Sequence, residues 1–147
     1  MQTQTDNAAP ASAHAKRWLY AAAGLSALAG VIHLLVTPEH FEEWSGYGLF
    51  FLIAGLAQLI YAPVLLRQPA NRSLLIAGIA GNALIIALWI VTRTLGIPLG
   101  PEAGEVEAIG VLDTLSKLAE LALIGCLVAL LSRSRQTHLP ASTEGDV

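Results

Sequence analysis

Two histidines, three glutamates and a tryptophan fall within twelve positions in residues 33–44, HLLVTPEHFEEW. Imidazole nitrogen and carboxylate oxygen suit zinc, copper or non-haem iron, which makes His33, His40 and Glu43 candidate metal ligands. Glu102, Glu105 and Asp113 are the candidates to complete the set, with Glu120 as a further acid that could orient an imidazole. Residue type carries this reading, because His-x6-His is not the ligand spacing of HExxH. A small polar ligand fits the same groups. The alternative is that His33 bonds a neighbouring helix while His40, Glu42 and Glu43 form a solvated face.

A second constellation is Asp113, Lys117 and Glu120, spaced i, i+4, i+7 and so on one stripe of a helix. Ionisable groups inside a membrane segment mark proton or ion paths, which makes Glu120 a candidate coupling residue with Lys117, Asn82, Gln58 and Arg93 lining a polar network. The alternative is structural: Lys117 lies between two acids, and Arg93 could join them in a neutralised cluster that fixes helix register.

These groups must be positioned by membrane helices. The chain has 147 residues, 54% hydrophobic and only 13% charged, with a mean hydropathy of +0.60, against about a quarter charged in ordinary soluble domains. Apolar runs at about 18–36, 47–66, 73–92 and 111–131 are each long enough to cross about 30 Å of hydrocarbon at about 1.5 Å per residue. The fold expected is an all-α, polytopic four-helix membrane bundle over residues 16–132, with disordered tails at 1–15 and 133–147. Short loops should make consecutive helices antiparallel neighbours. Ala27-Leu28-Ala29 resembles a signal-peptidase site, but the apolar run continues past it, so the first span is expected to be retained.

Within the spans, Thr37-Pro38-Glu39 reads as a helix start, with Thr37 capping and Pro38 where its missing N–H costs nothing. Ala23, Ser26, Ala27 and Gly30 are spaced for close helix contact. Gly78, Asn82, Ile85, Trp89 and Arg93 share a stripe of the third span. Lys16, Arg17, Arg67, Arg72, Arg133 and Arg135 fall on the side of the tails and the middle loop, against Arg93 and Lys117 toward the other side. By the positive-inside rule both termini are cytoplasmic, and residues 33–44, the 102–107 loop and Asp113 face outward.

Several chemistries are excluded. A formal charge of −3 with scattered bases argues against nucleic acid. The single cysteine, Cys126, rules out an intrachain disulfide or a CxxC pair and sits among apolar residues as a small hydrophobe. Haem is not expected, because only His33 is embedded and His14 and His138 belong to the opposite side. No GxSxG, Walker or strand-borne GxGxxG motif supports serine or phosphate chemistry.

The segments HxxxxxxHxxEW (33–44) and NxxxxxxWxxxRTxGxPxGP (82–101), followed by EAGEVE, resemble those of small, mostly uncharacterised four-helix bacterial integral membrane proteins. The likeness covers nearly all of residues 17–132. It implies the four-span topology, a bacterial cytoplasmic membrane and the importance of those residues, and no activity. The expected function is binding of a metal ion or small polar ligand at the extracytoplasmic end of the bundle, and neither a reaction nor its absence is assigned. Alternatives are an oligomeric proton-coupled transporter using Glu120, and a scaffold subunit binding another membrane protein. The expected partners are the lipid bilayer and a second copy or another membrane protein.

Overall fold

The computed structural model of the chain describes residues 9–136, which form four helices. These are α1 (Ala9–Glu43), α2 (Ser45–Arg67), α3 (Arg72–Thr94) and α4 (Val111–Gln136). Among the described residues there is no strand, and all four helices are long and apolar enough to cross a membrane. Leu28, Leu35, Ile53, Ile60, Leu84 and Leu118 point outward with half or more of their surface exposed. A soluble bundle would bury such a face, whereas lipid accepts it.

α1 is longer than the sequence reading allows at both ends. It includes residues 9–15, part of the expected tail, where alanine is the best helix former. It also runs through Pro38 instead of restarting at Thr37. That is a correction. Thr37 does not cap a new helix; its Oγ1 donates to the His33 carbonyl one turn back, at 2.8 Å. Pro38 lacks an N–H for the turn before it, a loss membrane helices tolerate where neighbouring helices and Thr side chains support the chain. α1 therefore carries His33 and His40 on one continuous rod. At the other end of the chain, α4 extends to Gln136, and His138 lies outside the described residues.

α1 and α2 meet most closely where Gly30 faces Gly55. A Cβ on Gly30 would come within 2.9 Å of the Gly55 carbonyl oxygen, so only glycine allows this approach. Ala23 and Ser26 are buried on the same stripe, as the small-residue spacing predicts.

Consecutive helices are not all neighbours, however. α1 packs on α2 and α4, and α3 packs on α4, but α2 and α3 barely touch despite the short turn joining them. Near that turn Tyr61 fills the space between them, its hydroxyl donating to the Leu74 carbonyl at 3.1 Å and its ring over Gly78. Farther from the turn the seam opens. Around Tyr61 the terminal half of the bundle is apolar, built on Ala22, Leu65, Leu75, Leu123, Cys126, Leu127 and Leu130.

The 95–110 segment closes the opposite end. Glu107 N–H donates to the Thr92 carbonyl at 3.1 Å, and Tyr47 of α2 donates to the Leu99 carbonyl at 2.9 Å. Gly96, Gly100 and Gly104 take positive φ along this path, a conformation that side chains with a Cβ resist.

Candidate functional site

Glu120 is the centre of the polar half. Its side chain is fully buried, and one group from each of two other helices reaches it. His33 Nε2 of α1 lies 2.7 Å from Oε1, and Gln58 Nε2 of α2 lies 3.2 Å from the same oxygen. Lys117, one turn earlier on α4, donates to Oε2 at 2.5 Å. Gln58 Nε2 also donates to Asn82 Oδ1 of α3 at 3.0 Å, and Asn82 in turn donates to the Gly78 carbonyl. All four helices thus contribute a buried polar side chain to one network. A charge at this depth costs about 2.5–3.5 kcal/mol on insertion scales, and pairing Lys117 with Glu120 offsets it.

The stripe Asp113, Lys117, Glu120 does not act as one ladder. Lys117 pairs with Glu120, whereas Asp113 accepts from Arg93 Nη2 of α3 at 2.5 Å. Arg93 Nη1 also bridges to Glu107 and donates to Thr92 Oγ1. Its guanidinium lies over the Trp89 ring, 5.9 Å from the centroid. Two separate ion clusters result, one embedded and one at the rim. Glu107 was legible in the sequence only as one of three loop acids.

A cavity of about 280 Å3 lies between these clusters. His33, Lys117 and Ser116 line its deep side, and Trp44, Tyr47, Phe50, Phe51 and Trp89 wall it. Ile97, Pro98 and Leu99 line it from the 95–110 segment, and Phe50, Phe51, Ile85, Leu88 and Trp89 line it along the α2–α3 seam. Four buried polar atoms here and just beneath have no hydrogen-bond partner: His33 Nδ1, Gln58 Oε1, Trp89 Nε1 and Arg93 Nε. Of their residues, His33, Trp89 and Arg93 line the cavity. Buried polar groups are rarely left without partners, and those that are call for an explanation.

The candidate metal ligands are distributed differently. His33 turns inward to Glu120, while His40 Nδ1 donates to the Val36 carbonyl at 2.8 Å. The Phe51 ring contacts both imidazoles, at centroid distances of 5.4 Å to His33 and 3.9 Å to His40. His40, Glu43, Glu102 and Asp113 border a second, wider cleft of about 580 Å3 at the surface, where Glu107 and Arg93 also sit. Glu105 is exposed and outside both cavities. Among the described residues no three His, Cys, Asp or Glu groups converge as a metal ion would require. The aromatic wall residues Tyr47, Phe50 and Phe51 were missed by the sequence reading. An aromatic cluster following HFEEW is the signal that marks them.

The class of protein that these features define is an all-helical, four-helix protein with the dimensions and apolar surface of a membrane protein. No protein family, curated protein or solved structure matches the chain.

Proposed function

We propose that this is a binding protein of the bacterial cytoplasmic membrane, holding a small ligand in the cavity between α2 and α3. The observation that carries this reading is His33. It is 2% exposed, it lines the cavity, and its Nδ1 has no partner. A ligand in the cavity would lie against its imidazole. The volume of about 280 Å3 suits a small molecule, near the lower end of the roughly 300–1,000 Å3 of typical ligand sites.

The basic residues favour both termini on the cytoplasmic side, with the cavity in the extracytoplasmic half. Single cysteines at Glu105→Cys or Arg72→Cys in a Cys126→Ala background test this in intact cells. A membrane-impermeant maleimide should label the first and spare the second; the reverse pattern would invert the orientation.

A metal held by His33, His40 and Glu43 finds less support, because Phe51 contacts both imidazoles and Glu43 faces the surface cleft. Stoichiometric zinc, copper or iron in the purified protein, lost on His33→Ala, would reverse that preference. Proton-coupled transport has the buried Glu120 network in its favour. Toward the termini, however, the buried core beyond Ser26, Gln58 and Asn82 consists of alanine, leucine and Cys126.

Thermal unfolding in detergent against a panel of membrane-soluble compounds tests the binding reading. Some should raise Tm in the natural chain and not in Leu88→Trp, which fills the cavity from α3. Equal shifts in both, or none in either, would remove it.

A further inference from the structure

We infer that the ligand is a lipophilic organic monocation without N–H groups, such as a quaternary ammonium, and that it binds in exchange for a proton on His33; this rests on the cavity being a binding site. The charges around the cavity set the sign. Glu107, Asp113 and Glu120 are three carboxylates, and the cations paired with them are two, Arg93 and Lys117. One negative charge is left over. The wider cleft adds Glu39, Glu43 and Glu102, and it adjoins the cavity through Tyr47, Arg93, Glu107 and Asp113, which border both. This surplus repels an anion and draws a cation inward.

The walls set the chemistry. Trp44, Tyr47, Phe50, Phe51 and Trp89 line the cavity, and aromatic walls hold quaternary ammonium groups through the negative faces of their rings. Trp89 already makes one such contact, with the Arg93 guanidinium. A primary ammonium brings three N–H donors that all need acceptors, but much of the remaining lining is Ile85, Leu88, Ile97, Pro98 and Leu99. A quaternary nitrogen has no donor to satisfy and meets these side chains through carbon. An apolar cavity of about 150 Å3 holds benzene, so about 280 Å3 has room for a phenyl ring together with a trimethylammonium group.

The surplus charge also has one internal remedy. His33 Nε2 lies 2.7 Å from Glu120 Oε1, and an imidazolium there balances the count. The charged and titratable groups around His33 are Glu120, Lys117 and Asp113 of α4, Arg93 of α3, Tyr47 of α2, Glu107 of the 95–110 segment and His40 on its own helix. With His33 protonated, a bound cation leaves one positive charge in excess; with His33 neutral, the same cation brings the total to zero. Cation and proton therefore compete, and the cation that enters sends one proton to water.

The chain's tryptophans supply the readout. Trp44 and Trp89 line the cavity, and Trp18 lies near the start of α1. The full-length Trp18→Phe variant in phosphatidylcholine nanodiscs is titrated with benzyltrimethylammonium, its uncharged carbon isostere neopentylbenzene, and 4-tert-butylbenzoate, each corrected for partition into empty nanodiscs. A saturable change in fluorescence is expected with the ammonium. The uncharged isostere should bind roughly three- to thirtyfold more weakly, the range of a desolvated cation–π contact. Between about pH 6 and 9 the ammonium should bind more tightly as pH rises, by up to about tenfold per unit, and calorimetry should find a proton released on binding. His33→Gln should flatten this slope and His40→Gln should keep it. If His33→Gln misfolds by circular dichroism, proton release from the natural chain and from His40→Gln decides. Equal or tighter binding of the isostere or the benzoate overturns the cation, and a flat pH profile, or a slope lost with His40, overturns the exchange at His33; either result leaves the cavity a binding site. Saturable binding by none of the three overturns the inference, and the binding site falls with it if the Tm panel is also flat.

Discussion

Toward the termini the helices meet through Leu65, Leu75, Leu123 and Leu127, each fully buried, and Tyr61 closes the gap between α2 and α3. Toward the 95–110 segment they meet through Glu120, Lys117, His33 and Arg93, and the same gap stays open as a cavity. The difference is one of directionality. Leucines fill space without fixed angles, so that half can close completely. Charged and amide groups must sit at hydrogen-bond distance in defined directions, and satisfying them holds the helices where space is left over. Among the described residues, the four buried polar atoms without a hydrogen-bond partner all belong to the polar half or its floor. That half is specified by polar contacts, while the other is sealed by packing.

The largest effect should come from unbalancing the embedded pair. Lys117→Met leaves Glu120 buried without its cation and should destabilise the protein by about 3–5 kcal/mol. Equilibrium unfolding in detergent would measure it. Adding Glu120→Gln removes the charge and should restore most of the loss; a double variant as unstable as the single one would show that charge pairing does not hold this half.

A smaller loss is expected from Leu127→Ala in the terminal half, about 2 kcal/mol, the low end for Leu→Ala. Inside lipid the helices gain no hydrophobic driving force from each other, so mainly the packing part of the cost remains. A loss equal to that of Lys117→Met would erase the contrast between the halves.

Smallest should be Tyr61→Phe, which removes one hydroxyl from the Leu74 carbonyl and leaves the ring over Gly78. Polar contacts between membrane helices average about 0.6 kcal/mol. A drop of several kcal/mol would mean that the terminal half also depends on directed polar contacts.

Much of this was legible in the sequence, because it follows from local composition. Run lengths give four helices of spanning length, and the small residues around Ser26 and Gly30 mark a close helix contact. Gln58, Asn82, Lys117 and Glu120 are conspicuous because polar groups are costly in such runs, and they do share one network. Local rules also misled. Thr37-Pro38 carries a helix-start signal, yet α1 continues, since a long apolar rod packed on two neighbours outweighs one lost N–H.

Which helix lies beside which was decided only by the tertiary structure. His33 and Glu120 are 87 positions apart, and nothing local pairs them. A turn of four residues suggests that α2 and α3 are neighbours, but α2 packs chiefly on α1 and α3 on α4, and the two touch at few points, among them the Gln58–Asn82 and Tyr61–Leu74 hydrogen bonds. Sequence patterns determine what each helix buries. The order of helices around the bundle depends on how all the buried polar groups are satisfied together, and that order creates the cavity and sets His33 within its lining.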